Sequence, residues 1–371
     1  MTRPLRVLVM STPVGAIGSG TGGGVEVTVR GIAAGLVARG HHVEVVAPEG
    51  SVAFGVPLHA VEGKVQASMQ LVDRSTVVEA PDGSVLANMW AFVRTHHHKF
   101  DVVLNLAYDE LPFRCASFLD RPVAHLVSMG SLTDAMDDAI GSVLASSPAS
   151  IAMHSRAQAD TFKAAAAVTI VGGGIDVGSC RFVEAPHPDG RVGFVGRLSR
   201  EKGLRDVVAA SALAGRPLHV WGYLQDEDEF AAVCAAADDA RVTYRGFVDP
   251  ETLRSELGEC AALVMAPKWV EAFGNVAVEA LACGVPVVAY RRGGPGEIVV
   301  DGETGYLVEA DDVAALAAGI ERAGGLSRAA CRGSASEHHS IGAFAARVEA
   351  WLDGVVRADG RADFSGTPLS F

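Results

Sequence analysis

The chain has 371 residues, 49% of them hydrophobic and 20% charged, and a formal net charge of −13. That length is comfortable for two domains, and the composition is that of a soluble globular protein. The acidic balance argues against nucleic acid and against docking on an anionic membrane, and no apolar run is long enough for stable membrane insertion. Six cysteines, at 115, 180, 234, 260, 283 and 331, show no C-x-x-C spacing and read as small buried apolar residues of a reducing compartment. Leu5 to Met10 is too short for a signal peptide, so the expected location is the cytoplasm.

Arg6 to Met10 reads as a buried strand, followed by the Gly-rich loop Ser11 to Gly24 and an amphipathic helix from Val25 to Arg39. His42 to Ala47 is the next strand, and strand–helix–strand of this kind implies a parallel sheet. The run from Gly18 to Gly23 satisfies G-x-G-x-x-G, but it begins some seven residues after the strand it should follow at once. Val56 to Val65 and Gln66 to Glu79 read as short strands and a hairpin, and Ser84 to His97 as a helix. The three histidines at 96 to 98 point different ways on a helix and read as a solvated helix end rather than a metal site.

Asp101 to Leu106 and Pro122 to Val127 are further strands, with His125 inside the second. A histidine in a strand is more often a satisfied core residue than a functional one. Val143 to Ser147 reads as a strand and Ala149 to Ala167 as a helix, and Pro186 to Gly190 is the clearest linker. The same grammar then restarts. Val192 to Val195, Leu218 to Trp221 and Val242 to Phe247 read as strands, and Leu204 to Ala214 as a helix. Asp311 to Ala323 and Ile341 to Val355 close the chain as helices, and Arg357 to Phe371 reads as a polar tail. Asp226 and Asp228 resemble a D-x-D metal site but open a helix in an acidic run, and no metal requirement is expected.

The stretch from 261 to 308 carries the most chemistry. An apolar strand, Ala261 to Ala266, leads into a loop with Glu271. Phe273, Gly274 and Asn275 break the chain before a helix with Glu279 about two turns in, and Gly284 stops it ahead of a strand from Val285 to Tyr290. Free N–H groups from Phe273 to Val276 would form an anion site at the helix N-terminus, with Glu271 beside it to accept from sugar hydroxyls and Glu279 within reach of a ribose diol. Upstream, Arg197 and Lys202 lie between a strand and a helix, where two fixed cations can hold a diphosphate and take up its charge as it leaves. Lys268 stands near enough to add a phosphate contact.

Residues 271 to 289 (EAFGNVAVEALACGVPVVA), then GGPGEIVVDGETGYLV and G-R-x-x-x-x-K-G, resemble the E-x7-E region and diphosphate motif of retaining glycosyltransferase family 4, the glycogen-synthase-like group 1 glycosyltransferases. The resemblance implies an α/β chain of GT-B architecture, two Rossmann-like doubly wound domains facing a central cleft. Residues 1–185 would form the acceptor-side domain, 186–340 the nucleotide-sugar domain, and 341–371 a crossover helix and tail.

It further implies retaining transfer from a nucleotide diphosphate sugar, a UDP-sugar foremost, to a sugar or small-molecule acceptor, with no cofactor. Arg197, Lys202 and Glu271 would be catalytic. Gly23, Gly24, Gly222, Gly246, Phe247, Val248, Phe273, Gly274, Asn275 and Glu279 would join them around the donor. Ser128 stands where the family has a sugar-contacting histidine, so Ser128, Met129, Gly130 and His125 are the candidates on the acceptor or sugar side. A nucleotide-sugar epimerase and an NAD(P)-linked oxidoreductase resting on Gly18 to Gly23 are the rival readings, and homodimerisation is left open.

Overall fold

The structure, a computed structural model, describes residues 3–20, 23–67, 69, 74–75, 81–163, 165–225, 227–235 and 241–359. The chain divides into two compact units, residues 1–174 with 341–371, and residues 175–340. The turn from Pro186 to Gly190 therefore lies inside the second unit, where the His187 amide donates to the Glu259 carbonyl at 2.8 Å.

The first unit is built on a parallel seven-stranded sheet in the order β3-β2-β1-β4-β5-β6-β7. Its strands are β1 (Arg6–Met10), β2 (His42–Pro48), β3 (Leu58–Val61), β4 (Val102–Asn105), β5 (Val123–Val127), β6 (Ile151–Met153) and β7 (Thr169–Ile170). Every residue of β4, β5 and β6 is buried, as strands covered on both faces require. The helices are α1 (Gly24–Ala38), α2 (Val85–His96), α3 (Glu110–Cys115), α4 (Asp134–Ser146) and α5 (Arg156–Ala159). The last described helix, α13 (Ile341–Ala358), belongs to this unit and packs on α1. A Cβ on Gly35 would stand 2.5 Å from that of Ala345, so only glycine allows the two helices this close.

Two sequence expectations fail here. Val143 to Ser147 is not a strand but runs out of α4. Thr133 caps that helix by accepting from the Met136 amide, and Met136, Ile140 and Leu144 bury one face at i, i+4 spacing. The strand is Ile151–Met153, and the expected long helix from Ala149 reduces to α5, a 3-10 turn at Ala165–Ala167 and loops. β3 pairs in parallel with β2, Val45 opposite Leu58, and most of Gln66 to Glu79 lies outside the described residues, as does 360–371.

The second unit carries a six-stranded parallel sheet, β10-β9-β8-β11-β12-β13. Its strands are β8 (Val192–Val195), β9 (Leu218–Trp221), β10 (Val242–Gly246), β11 (Ala262–Met265), β12 (Val287–Tyr290) and β13 (Gly305–Val308). Around it lie α6 (Leu204–Leu213), α7 (Glu227–Ala235), α8 (Pro250–Gly258), α9 (Asn275–Ala282), α10 (Pro295–Ile298), α11 (Val313–Ala323) and α12 (Arg328–His338). In each sheet the winding reverses beside the first strand, between β1 and β4 and between β8 and β11. The crevice at the carboxyl ends of such strands is where doubly wound sheets bind ligands.

Candidate functional site

The carboxyl edge of the second sheet gathers most of the residues singled out in the sequence. β8 ends at Val195, and Gly196 turns the chain at φ +156° into a short loop that closes on Gly203 at φ +70°, the N-cap of α6. A Cβ on Gly203 would lie 1.8 Å from the Ala266 carbonyl oxygen, so the loop is held against the end of β11. That approach brings Lys202 to the Glu271 loop. Lys202 Nζ stands 2.5 Å from Glu271 Oε2, and the Trp269 indole N–H donates to the same oxygen at 3.2 Å. The ammonium also lies 5.0 Å from the centroid of the Trp269 ring, within cation–π range.

Arg197 is held from its own loop. Its Nη2 donates to Glu201 Oε1 at 2.7 Å, and Ser199 Oγ donates to the same oxygen at 2.7 Å. Burial pushes the Glu201 carboxyl up, but the hydrogen bonds from Ser199 and Arg197 outweigh it and hold the group below its ordinary range. Lys268 is ion-paired within the protein. Its ammonium is held between Asp206 at 2.5 Å and Asp311 at 2.8 Å, while Tyr290 and Arg292 complete the network at 2.6 Å each. Two carboxylates already neutralise it.

Phe273 is buried and Gly274, at φ +107°, is the N-cap of α9. The Ala277 amide returns to the Gly274 carbonyl at 2.9 Å, and the amides of Asn275 and Val276, in the first turn of α9, have no partner within the helix. Behind the loop, the Gly294 amide donates to the Glu271 carbonyl at 2.7 Å. A Cβ on Gly294 would sit 2.0 Å from the Phe273 carbonyl oxygen and one on Gly293 2.3 Å from the Glu271 carbonyl oxygen, which is why the two glycines before Pro295 are needed there. Glu279 lies partly buried in α9. Burial raises its carboxyl to about 6, opposed by Arg254, whose Nε is buried without a hydrogen-bond partner.

Gly222 and Gly246 end adjacent strands, with the Gly222 amide donating to the Gly246 carbonyl at 3.0 Å. A Cβ on Gly222 would meet the Gly196 carbonyl oxygen at 1.7 Å, so the ends of β8 and β9 meet with no side chain between them. Phe247 is 69% exposed just beyond this floor, Val248 follows it, and Tyr223 is 63% exposed on the neighbouring loop. Sequence reasoning missed Glu201, Tyr223, Arg254 and Trp269. Of these, only the Arg197–Glu201 spacing and the nearness of Trp269 to Glu271 left a trace in the chain order.

The first unit presents a different edge. Gly23, at φ +57°, precedes Gly24 at the start of α1, and Glu26 folds back on the loop. Its carboxylate accepts from the Gly18 amide at 2.7 Å, the Gly20 amide at 3.3 Å and Ser19 Oγ at 3.3 Å. The amides a dinucleotide fingerprint would turn toward a pyrophosphate are thus met by a carboxylate of the protein; Thr21 and Gly22 lie outside the described residues. His125 is fully buried, stacked on Phe113 at 4.2 Å, with Asn105 Nδ2 3.1 Å from its Nδ1. Burial pushes its pKa down to about 3, so it is neutral and sits in the core. The Met129 carbonyl accepts from Gln158 at 2.9 Å and the Gly130 carbonyl from Tyr108 at 2.8 Å, whereas Ser128 Oγ is buried without a partner.

His96 and His97 face carbonyls of their own helix at 2.9 Å. Among the described residues no group of three or more His, Cys, Asp or Glu side chains is placed to hold a metal. No described helix is long and apolar enough to cross a membrane.

Residues 181–325 match the family model of the glycosyl transferases group 1. A D-inositol 3-phosphate glycosyltransferase of Arthrobacter is 38% identical over 126 residues, 31% of this chain and 30% of that protein. Glycogen synthase of Mycobacterium tuberculosis is 34% identical over 163 residues, 42% of this chain and 39% of the enzyme. The matched stretches thus span between a quarter and a half of those relatives. Among solved structures, the Anabaena protein HepE in complex with UDP and glucose covers 94% of this chain and 100% of its own, with a TM-score of 0.70 at 19% identity. Sucrose-phosphate synthase of Thermosynechococcus elongatus covers 97% of this chain and 98% of its own, with a TM-score of 0.69 at 20% identity. Residues 181–325 are thus similar to the glycosyl transferases group 1, and the chain carries the GT-B fold.

Proposed function

We propose that the chain is a retaining, metal-independent glycosyltransferase that moves a sugar from a nucleotide diphosphate sugar, a UDP-sugar foremost, to a sugar or small-molecule acceptor in the cytoplasm. The observation that carries the reading is the meeting of Lys202 with Glu271 at one strand edge, 2.5 Å apart, beside Arg197 and the N-terminus of α9. The two cations suit the diphosphate, whose charge grows as the sugar leaves. Glu279 suits the ribose diol, and Gly222, Gly246, Phe247 and Val248 wall the base. Glu271 and the backbone from Phe273 to Asn275 face the donor sugar. That HepE has been solved with UDP and glucose supports the choice of base.

Retention follows in this reading from a front-face route. The acceptor hydroxyl attacks on the face the diphosphate leaves, and the departing phosphate oxygen takes the acceptor proton, with Lys202 and Arg197 stabilising it. On the first unit Ser128 remains the sugar-side candidate through its hydroxyl, with Gly23 and Gly24 as backbone contacts to the donor. His125, enclosed and neutral, leaves that set. The nucleotide-dehydrogenase alternative loses its footing because Glu26 occupies the glycine-rich loop.

Calorimetric titration with UDP, GDP, ADP and NAD, in the presence of EDTA, tests this reading. One nucleoside diphosphate should bind, and Lys202→Ala and Glu279→Ala should each weaken it at least tenfold. NAD binding that ignores both substitutions would sink the proposal. Turnover of the sugar nucleotide with and without acceptors separates transfer from epimerisation.

A further inference from the structure

We propose that Asp311 is a positioning residue for the transfer, acting through Lys268 and Arg292 to hold the loop that carries Glu271 in place beside Lys202. The assignment rests on the function proposed above for that pair and names the residues that place it. Four neighbouring strands of the second sheet, β8, β11, β12 and β13, lead into the network. The loop after β8 runs to Asp206 in the first turn of α6, Lys268 follows β11, Tyr290 ends β12 with Arg292 just beyond, and Asp311 follows β13. The Asp311 carboxylate accepts from Lys268 Nζ at 2.8 Å and from Arg292 Nη2 at 2.6 Å. Lys268 also reaches Asp206, which accepts from the Tyr290 hydroxyl at 2.6 Å. Two cations thus meet two carboxylates, and the network is electrically closed.

What the network holds is backbone. Arg292 Nη1 donates to the Pro267 carbonyl at 2.9 Å, and the Lys268 amide donates to the Glu201 carbonyl, next to Lys202, at 2.8 Å. Glu271 stands three residues beyond Lys268, so both partners of the 2.5 Å pair sit on chain that the network fixes. Asp311 itself is held in an unfavourable conformation. At φ +70° it is the one non-glycine with a positive φ among the described residues, a region that disfavours L side chains. The hydrogen bond from Arg292 foremost, then that from Lys268, hold its carboxyl down to about 2, so it is charged at neutral pH. Yet its side chain is 52% exposed and that of Lys268 36%, and ion pairs so open add little to stability. A strained aspartate whose ion pairs scarcely stabilise the fold, behind a loop with a carboxylate assigned to the donor sugar, fits a role in placement. A shift of about 1 Å in a reacting group can cost about a hundredfold in rate.

The test compares Asp311→Gly, Arg292→Ala and the double variant with the parent protein. Glycine suits φ +70°, so the first substitution removes the carboxylate and relaxes the turn. The rate is the release of nucleoside diphosphate from UDP-, GDP- or ADP-glucose, whichever the parent turns over, with water as acceptor. Each single variant should lose about tenfold in kcat, and the double variant about the same, because the two residues act as one device. Calorimetry should find the affinity for the bare nucleoside diphosphate within about threefold of the parent, since the sugar that Glu271 faces is missing from it. The thermal midpoint of Asp311→Gly should be unchanged or higher. Asp311→Asn, which tolerates the turn and keeps an acceptor oxygen for Arg292, should recover part of the rate. A kcat for Asp311→Gly within about threefold of the parent, losses that add in the double variant, or a midpoint that falls together with the rate would overturn the positioning role while leaving the proposed function intact. A parent protein that neither binds nor turns over any of the three nucleotides would overturn that function and the positioning role with it.

Discussion

The two sheets of this chain end in the same way and offer opposite chemistry at those ends. Both are parallel and both reverse their winding beside the first strand. At the edge of the second sheet, charged side chains stand on loops shaped by Gly196, Gly203 and Gly222, and the helix that follows β11 opens with amides that lack helical partners. At the edge of the first, the polar groups are largely spent on the protein itself. Asn105 meets His125, Tyr108 holds Gly130, Gln158 holds Met129 and Glu26 fills its own glycine loop. A Rossmann-like edge is therefore a place for a ligand rather than a binding site. What distinguishes the two is that the second edge gathers ion-paired cations and carboxylates on its loops, whereas the first meets its polar groups mostly with neutral partners.

The sharpest way to break this comparison is to remove the charge. Lys202→Ala deletes the cation nearest Glu271 and leaves that carboxylate with Trp269 as its remaining hydrogen-bond donor. Loss of one preorganised electrostatic group should lower kcat by about 10²–10³-fold. Steady-state rates of nucleoside diphosphate release give the number, and a loss below threefold would mean that Arg197 alone holds the leaving group.

A second substitution asks whether the first edge is as self-contained as its hydrogen bonds imply. Glu26→Ala strips the acceptor from the Gly18 and Gly20 amides. The loop is exposed, so water can replace the carboxylate, and losing these hydrogen bonds should cost about 1 kcal/mol in chemical denaturation. Affinity for the nucleoside diphosphate should stay within threefold of the parent, because in the proposed reading the side chains that hold it belong to the second unit and Gly23 and Gly24 add only backbone contacts. A tenfold loss would make the glycine loop a principal part of the donor site and erase much of the contrast.

The legibility of the two units follows the same divide. In the second, Val192–Val195 and Leu218–Trp221 are bounded as the pattern predicts, because apolar strands there alternate with helices and glycines mark the turns. Of the residues in the G-R-x-x-x-x-K-G and E-x7-E spacings, Lys202 and Glu271 meet in space, whereas Arg197 pairs with Glu201 and Glu279 faces Arg254. In the first unit, Val143 to Ser147 misled because a strand-like apolar run was weighed without the Thr133 cap that starts its helix. The role of Lys268 was not legible either. Asp206 lies on α6 and Asp311 beyond β13, and no spacing along the chain announces that they converge on one ammonium. Arg254 faces Glu279 from α8 for the same reason. Local pattern reads elements and short motifs, whereas through-space partners are set by packing.

Glu279 permits a finer comparison, between a carboxylate placed for a ligand and one placed for the fold. Its folded pKa, about 6, lies above the ordinary carboxylate value because burial disfavours the charge. The contribution is therefore fully present below about pH 4 and lost as the pH rises through about 6, so the ionised group destabilises the unit at neutral pH. Glu279→Gln should make the protein more stable above pH 6 by roughly 1–2 kcal/mol, with little change at pH 4. It should also weaken the nucleoside diphosphate about tenfold, since the amide is a poorer acceptor for a diol. Denaturation at the two pH values and titration at pH 7.5 report both. A variant that gains stability without losing affinity would mark Glu279 as a structural carboxylate and move the ribose elsewhere.

The smallest expected effect concerns Trp269, which touches both members of the Lys202–Glu271 pair. Trp269→Phe keeps an aromatic face for the ammonium, 5.0 Å from the present centroid, and removes the 3.2 Å hydrogen bond to Glu271 Oε2. One hydrogen bond to a charged acceptor at a partly exposed site is worth about 1 kcal/mol, so kcat/KM should fall roughly fivefold. The split between the constants carries the information. If the indole N–H orients Glu271 for the donor sugar, kcat falls and the affinity for the bare nucleoside diphosphate, which lacks that sugar, is unchanged. If the ring chiefly steadies Lys202, the phenyl group preserves that contact and neither constant moves, which would leave the ion pair itself as the element that sets the second edge apart from the first.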